Sequence, residues 1–422
     1  MLLKPSSTVV SRRIDMPETN KPLAPPGISF LLAGLATLGP FSIDTYLPSF
    51  NDLGASLQAT PLQVQQTLSA YLLPFALMTL WHGAISDALG RRRVILISVA
   101  LFALASAGCM FARSIEQLWL LRALQGMTGG AGIVVCRAIV RDLYDGPLAQ
   151  RLMSQVMMMF AIAPAVAPII GGWLQLWFGW RAVFAFLVLL SIGLWLACWY
   201  LLPETLPRLR RQPLDARYLM HSYWKVLTAP AFLLTCGALA LNFAGFFLYV
   251  VSAPVYLMDH LGVSPTGFLW LFGPAMSGLM LGACLSSRLA GKWSAGRTIA
   301  VAYLVMSCAA AINIGISLAL PPMLPWSVLP LFGFTFGMSL AMPSLTLQAL
   351  DLFPEQRGLA ASCQTFLQSS FNALVAGLLA PALWGSTATL ALGMGGLLLL
   401  GILATAIRHC RCSSAPQLVC LP

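Results

Sequence analysis

The chain has 422 residues, of which 59% are hydrophobic and 9% charged, with a mean hydropathy of +0.82 and a formal net charge of +11. A soluble domain carries about 25% charged residues, so a large buried core does not account for this composition, and apolar runs that never alternate every second residue exclude a transmembrane barrel. Little chain remains outside the runs, so no soluble catalytic domain and no enzyme activity are expected. Nucleic acid is not needed as a partner either, because the basic residues gather on one side of the expected membrane, where they face lipid head groups.

In chain order, residues 1–27 form a polar tail with Lys4, Arg12, Arg13, Asp15, Glu18 and several prolines. It has no apolar stretch of the signal-peptide kind, so insertion is expected to begin with the first span. Spans of about 17–25 apolar residues are predicted at 28–50, 62–84, 94–112, 117–138, 152–174, 182–202, 230–257, 267–287, 297–319, 326–348, 358–380 and 384–407. The longest connection, 203–229, divides them into two sets of six, 28–202 and 230–407, followed by a tail at 408–422. Arg91, Arg92, Arg93, Arg141, Arg151, Arg288, Lys292, Arg297, Arg357, Arg408 and Arg411 all fall on one side of this arrangement. The opposite side holds little more than Arg113 and Arg181. Basic loops stay inside, so both termini and the 203–229 connection are expected in the cytoplasm.

Asp44, in the run Phe41-Ser-Ile-Asp-Thr-Tyr-Leu-Pro48, is an acid within the first span. It costs about 2.5–3.5 kcal/mol on insertion scales, so it either meets water at the outer end beside Asn51 and Asp52 or lines a cavity. After the second span, Gly83, Asp87, Gly90, Arg91 and Arg92 offer charge pairs and a turn glycine at a compact corner. Arg122 opens Arg122-Ala-Leu-Gln125-Gly126-Met-Thr-Gly129-Gly130 in the fourth span. It either snorkels to the outer interface or organises a polar network inside the first half. Gln125, Gly126, Gly129 and Gly130 form a low surface for close helix packing. In the fifth span Pro164, Pro168, Gly171 and Gly172 combine lost helix hydrogen bonds with room for close approach, the pattern of a hinge or an outer seal.

The ten cysteines are scattered and act as small apolar residues; Cys410 and Cys412 beside His409 are too weak a pattern for a metal, so no metal and no cofactor are expected. The second half offers Asn242 and Gln364 but no clear intramembrane acid. Tyr46, Tyr71, Phe75, Phe160, Asn242, Phe246, Tyr249 and Met276 are candidates for a broad, partly apolar substrate cavity, each also compatible with lipid or helix packing.

Together these runs resemble the drug/proton antiporters of the major facilitator superfamily, in particular the twelve-span bicyclomycin-resistance/chloramphenicol-efflux branch. Gly83 through Arg93 is similar to the loop signature between spans two and three, Arg122-Gln125-Gly126 to the span-four motif, Ala163-Pro164 through Gly171-Gly172 to the antiporter motif, and Asp44 through Pro48 to the span-one signature. Ala88, Arg93 and Ala163 depart from the residues usual at those places. The resemblance implies an all-α membrane protein with the major facilitator fold, twelve transmembrane helices in two pseudo-symmetric six-helix bundles. It also implies proton coupling through Asp44 and Arg122, a cytoplasmic gate at Gly83–Arg92, and an antiporter hinge at Pro164–Gly172.

The expected activity is multidrug efflux: proton-coupled export of hydrophobic or amphipathic, bicyclomycin- or phenicol-like drugs by alternating access, conferring antibiotic resistance. The expected setting is the bacterial inner membrane, with protons, drug-like molecules and lipids as partners and a monomer as the working unit. A facilitator or importer of a small metabolite is the nearest alternative, and a non-transporting membrane sensor the next. The absence of a GxxxxGK[ST] loop argues against an ATP-driven pump.

Overall fold

The computed structural model describes residues 27–144, 146–211 and 214–414. Six long helices come first: α1 (Ile28–Leu57, turning through a 3-10 segment at Leu47–Ser49), α2 (Pro61–Leu89), α3 (Arg91–Met110), α4 (Ile115–Leu143), α5 (Gly146–Phe178) and α6 (Trp180–Leu201). A short helix, α7 (Ala216–Leu227), follows in the connection. Then come α8 (Pro230–Val251), α9 (Pro265–Leu289), α10 (Ala295–Ala319), α11 (Leu329–Leu350), α12 (Arg357–Leu383) and α13 (Thr387–Ser414). Apart from α7, each is long enough at about 1.5 Å per residue to cross a hydrocarbon layer. The chain is an all-α, multi-pass membrane protein.

Local chemistry sets the helix starts. Thr60 caps α2 through a reciprocal box with Gln63, with Pro61 at the first helical position. Ser114 and Ser294 accept the amides of Gln117 and Arg297 at the starts of α4 and α10. The predicted seventh span runs to 257, but α8 stops at Val251 and the chain continues as a π-turn over Pro254–His260. Pro254 has no amide to donate back into the preceding turn, so the regular ladder ends before it. By contrast α5 is one helix of 33 residues despite Pro164 and Pro168.

Packing follows sequence halves. In the first, α4 lies against α2, α3 and α1, α3 against α6, and α1 against α5; in the second, α11 lies against α9, α10 and α8, and α13 against α8 and α10. Two seams cross between them, α2 with α12 and α5 with α9. Both can be located along the bundle from their hydrogen bonds and close approaches. The Gln65 side chain donates to the Ala376 carbonyl at 3.0 Å, Ser69 to Ala373 at 3.4 Å, and Gly172 abuts the backbone of Pro265. All of these lie toward the end of the bundle that carries few charges, the end opposite Arg91–Arg93, Arg288 and Arg357.

At the basic end the bridge is α7. Asp215 caps it by accepting the amides of Arg217 and Tyr218, and its inner face, Tyr223 and Val226, packs with Phe232, Cys236, Ala349 and Cys363 of the second half. The Tyr223 phenol then donates to the Leu80 carbonyl of α2 at 2.5 Å. Tyr223→Phe is expected to cost about 1 kcal/mol, the net worth of one such bond, and to raise amide exchange in α7. Burial pushes the Tyr223 phenol from 10.0 up to about 12. The folded chain therefore keeps a neutral phenol where the unfolded chain has already ionised, and its stabilising contribution, whole below pH 10, is lost as pH rises toward 12. Melting temperatures measured across that window should converge for the wild type and Tyr223→Phe.

Candidate functional site

Arg122 sits seven residues into α4, about 10 Å along it, and is completely buried. Snorkelling to an interface is therefore not how its charge is accommodated. Its Nη1 donates to the Ser42 carbonyl at 3.1 Å, the Ser42 hydroxyl at 2.9 Å and Gln125 Oε1 at 2.5 Å. Gln125, one helical turn on, passes the chain of bonds to Ser106 of α3 at 2.7 Å. The guanidinium carbon lies 4.5 Å from the Tyr71 ring centre and 5.0 Å from that of Tyr46. Two aromatic faces thus supply attraction that a counter-ion would otherwise give. Nε and Nη2 have no partner, and among the described residues no carboxylate lies within ion-pair distance of Arg122.

Asp44 ends the regular part of α1, is 4% exposed, and has neither a hydrogen bond nor an ion pair to its carboxylate among the described residues. The helix explains why it does not meet Arg122. Residues two apart point about 200° from one another around the axis, so the turn that aims Ser42 at the guanidinium aims Asp44 away. Sequence reasoning singled out Asp44 and Arg122 and passed over Ser42 and Ser106, whose hydroxyls complete the network. Ser42 stands in the same quoted run as Asp44, and helical phase was the available signal.

The glycines of α4 make this geometry possible. At Gly126 a methyl group would enter the main chain of Tyr71 in α2; Gly129 lies under the Tyr71 hydroxyl, and Gly130 faces Thr79 and the buried His82. On α5, a methyl at Gly171 would enter the backbone of Thr45, the residue after Asp44, and one at Gly172 that of Pro265 across the seam. Pro164 and Pro168 lie one to two turns before this pair, inside the continuous helix.

The predicted gate residues gather around Arg91. Its guanidinium pairs with Asp87, lies 3.1 Å from Asp142 at the end of α4 and 2.5 Å from the Ser86 hydroxyl. Its amide donates to Glu204 Oε1 at 2.9 Å, and Glu204 also pairs with Arg211 at 3.5 Å. Gly90 has φ +101°, which only glycine adopts freely, and Glu204 and Arg211 fill the space beside it. Arg92 donates to the Trp199 carbonyl at 2.6 Å and lies 5.5 Å from that ring's centre, while Gly83 meets only the Val134 side chain. Asp142 and Glu204 were missed: they stand 51 and 113 positions from Arg91, and nothing in the sequence couples them.

The cavity candidates do not form one cluster. Tyr46 hydrogen-bonds Thr67 at 2.9 Å and packs against Phe50 and Phe184; Tyr71 stacks on the half-buried Phe75. In the second half Asn242 bonds Tyr303, which bonds Thr405, and Tyr249 accepts from Asn313 at 2.7 Å while its ring meets Tyr256. Phe246 and Met276 are buried in the core, Gln364 bonds Thr346 of α11, and the side chain of Phe160 lies outside the described residues.

The sequence matches the profile of the Major Facilitator Superfamily over residues 30–376. It is 32% identical over 373 residues to YdgK of Bacillus subtilis, named an uncharacterised MFS-type transporter, covering 88% of this chain and 91% of that protein. A bicyclomycin resistance protein homolog of Haemophilus influenzae is 27% identical over 88% of this chain and 93% of its own length. Multidrug resistance protein D of Escherichia coli is 29% identical over 82% and 87%. Among solved structures, a bacterial homolog of the human lysosomal transporter Spinster has the same fold, with a TM-score of 0.66 at 18% identity over 90% of this chain and 95% of that one. The human organic anion transporter MFSD10 follows at 0.62 and 19%, over 89% and 97%. The chain belongs to the Major Facilitator Superfamily and is a multi-pass membrane transporter of small molecules.

Proposed function

We propose that this transporter exports hydrophobic or amphipathic drug-like compounds in exchange for protons across a bacterial inner membrane, as a monomer. The observation that carries this reading is that the first half buries both a base and an acid, Arg122 and Asp44, neither of which has an ion-pair partner among the described residues. A proton arriving at Asp44 changes the charge inside the half that also holds the fixed cation of Arg122, so protonation changes the electrostatic balance of that half. The names of the Haemophilus and Escherichia relatives, bicyclomycin resistance and multidrug resistance, support the class of cargo.

The two halves, 28–202 and 230–407, act in this reading as bundles that rock about a central site, joined by 203–229. Their seams at Gly172 and Gln65 part to open the charge-poor end, the Arg91 cluster governs the basic end, and Pro164 and Pro168 are the points at which the continuous α5 flexes. Tyr71 and Phe75 from the first half and Phe246, Tyr249 and Met276 from the second, packed apart in this arrangement, would supply apolar and aromatic area for the cargo only once the halves rock. A resistance profile tests the substrate class. An efflux-deficient bacterium expressing the chain should tolerate raised concentrations of phenicol- or bicyclomycin-like compounds, and a profile identical to that of the empty vector across a broad panel would remove the export reading.

The basic end, with both termini and α7, faces the cytoplasm in this proposal. Epitope tags at each end and within 208–217 should be inaccessible to antibody in intact spheroplasts and become accessible on lysis. Labelling of all three before lysis would reverse the orientation.

A further inference from the structure

A partly open pocket of about 200 Å³ lies at the charge-poor end, between the halves. The first half contributes Phe50, Asn51 and Gln65; the second contributes Val255, Asp259 and Trp384. No residue predicted from the sequence lies on its wall, and it is separate from the Arg122 network. Apart from the exposed Asn51 carboxamide, its free polar side-chain atoms are acceptors. Gln65 is completely buried, its amide nitrogen is used by the Ala376 carbonyl, and its Oε1 is left without a partner. The Trp384 indole N–H is likewise used, by Ser252 at 3.2 Å. The Asp259 carboxylate makes no hydrogen bond or ion pair among the described residues, and no Lys, Arg or His lines the pocket.

Besides the exposed Asn51 carboxamide, what remains unpaired is therefore a buried amide oxygen and a carboxylate, both pure acceptors, beside two aromatic side chains. Such a wall suits a ligand that brings several N–H donors and a positive charge on a small apolar body. We propose that this pocket binds a primary ammonium compound with an aromatic or short aliphatic body: the ammonium donates to Gln65 Oε1 and Asp259, and Phe50 and Trp384 enclose the rest. Because both halves form the wall, the occupant binds this arrangement and not one in which the α2/α12 seam has parted, so it clamps that end shut. The assignment does not rest on which solute the transporter carries or on proton exchange.

The test uses the purified full chain in detergent, where both ends are accessible, with Asn51→Cys as reporter and 2-phenylethylammonium as probe. Modification of the introduced cysteine by a maleimide is read by mass spectrometry of its peptide. The probe should slow modification in a saturable way, and neutral 2-phenylethanol at equal concentration should not. Adding Trp384→Leu should raise the concentration for half protection by about tenfold or more, the factor that loss of one desolvated cation–π contact gives, and adding Asp259→Asn by about two- to fivefold, the factor of one exposed ion pair. Asp259 is exposed, so its substitution leaves folding intact and keeps the test decisive even where Trp384→Leu fails to fold. Absence of protection, equal protection by the alcohol, or unchanged protection in Asp259→Asn would overturn the assignment.

Discussion

Arg122→Met is expected to lower transport by about 5–150-fold, the range of ordinary coupling energies, while shifting stability by no more than about 2 kcal/mol in either direction. The two effects separate because the guanidinium is a poor structural investment. A buried charge without a counter-ion carries a desolvation cost of several kcal/mol. Against it stand three acceptors that share the two protons of one nitrogen, and two aromatic faces, gains of the same order as that cost. Two of its nitrogens are unpartnered. Methionine refills the space between Tyr46 and Tyr71 and removes the desolvation cost, leaving Ser42 and Gln125 to lose a partner. Thermal melts and transport assays on the same preparation read both numbers. A large loss of stability with transport retained per folded molecule would make Arg122 a structural residue.

The adjacent glycines Gly171 and Gly172 are expected to respond differently to the same change. Gly171→Ala drives a methyl into the backbone of Thr45, within the first half, and should lower overall stability by about 1–3 kcal/mol in every conformation. Gly172→Ala drives it into the backbone of Pro265, across the seam. The same strain then falls only on the arrangement in which α5 touches α9. It should shift the population toward an open charge-poor end by about 5–150-fold. Spin-label distances between Ser56 and Gly385, in a cysteine-depleted background, should lengthen for Gly172→Ala and not for Gly171→Ala. Identical distance distributions in the two variants would contradict the placement of Gly172 at a moving seam.

The helical membrane architecture was legible in the sequence because hydrocarbon thickness imposes a length on every span and leaves few charges to confuse the reading. The corrections are local. Pro254 ends α8 before its apolar run does, since backbone donors and not hydropathy decide where a helix stops. The site was legible in its parts and not in its pairing. An intramembrane acid and base stand out by cost alone, and attraction suggests that they meet. The rotation between residues 42 and 44 instead gives Arg122 the serine. Partners contributed from far along the chain, Asp142 and Glu204 at Arg91 or Ala376 at Gln65, leave no local pattern. The acceptor-lined pocket between Gln65 and Asp259 exists only because two halves meet.

The most direct test of proton-coupled export is a pH measurement on sealed proteoliposomes holding a trapped pH dye. Addition of a compound from the resistance profile, with no pH gradient imposed, should drive a proton flux that saturates with compound concentration and is absent in Asp44→Asn. An imposed gradient should in turn drive accumulation of the labelled compound, and an ionophore should collapse it. If the compound instead crossed down its own gradient with no proton movement, at the same rate in the wild type and Asp44→Asn, the chain would be a facilitator and the coupling role given to Asp44 would be contradicted.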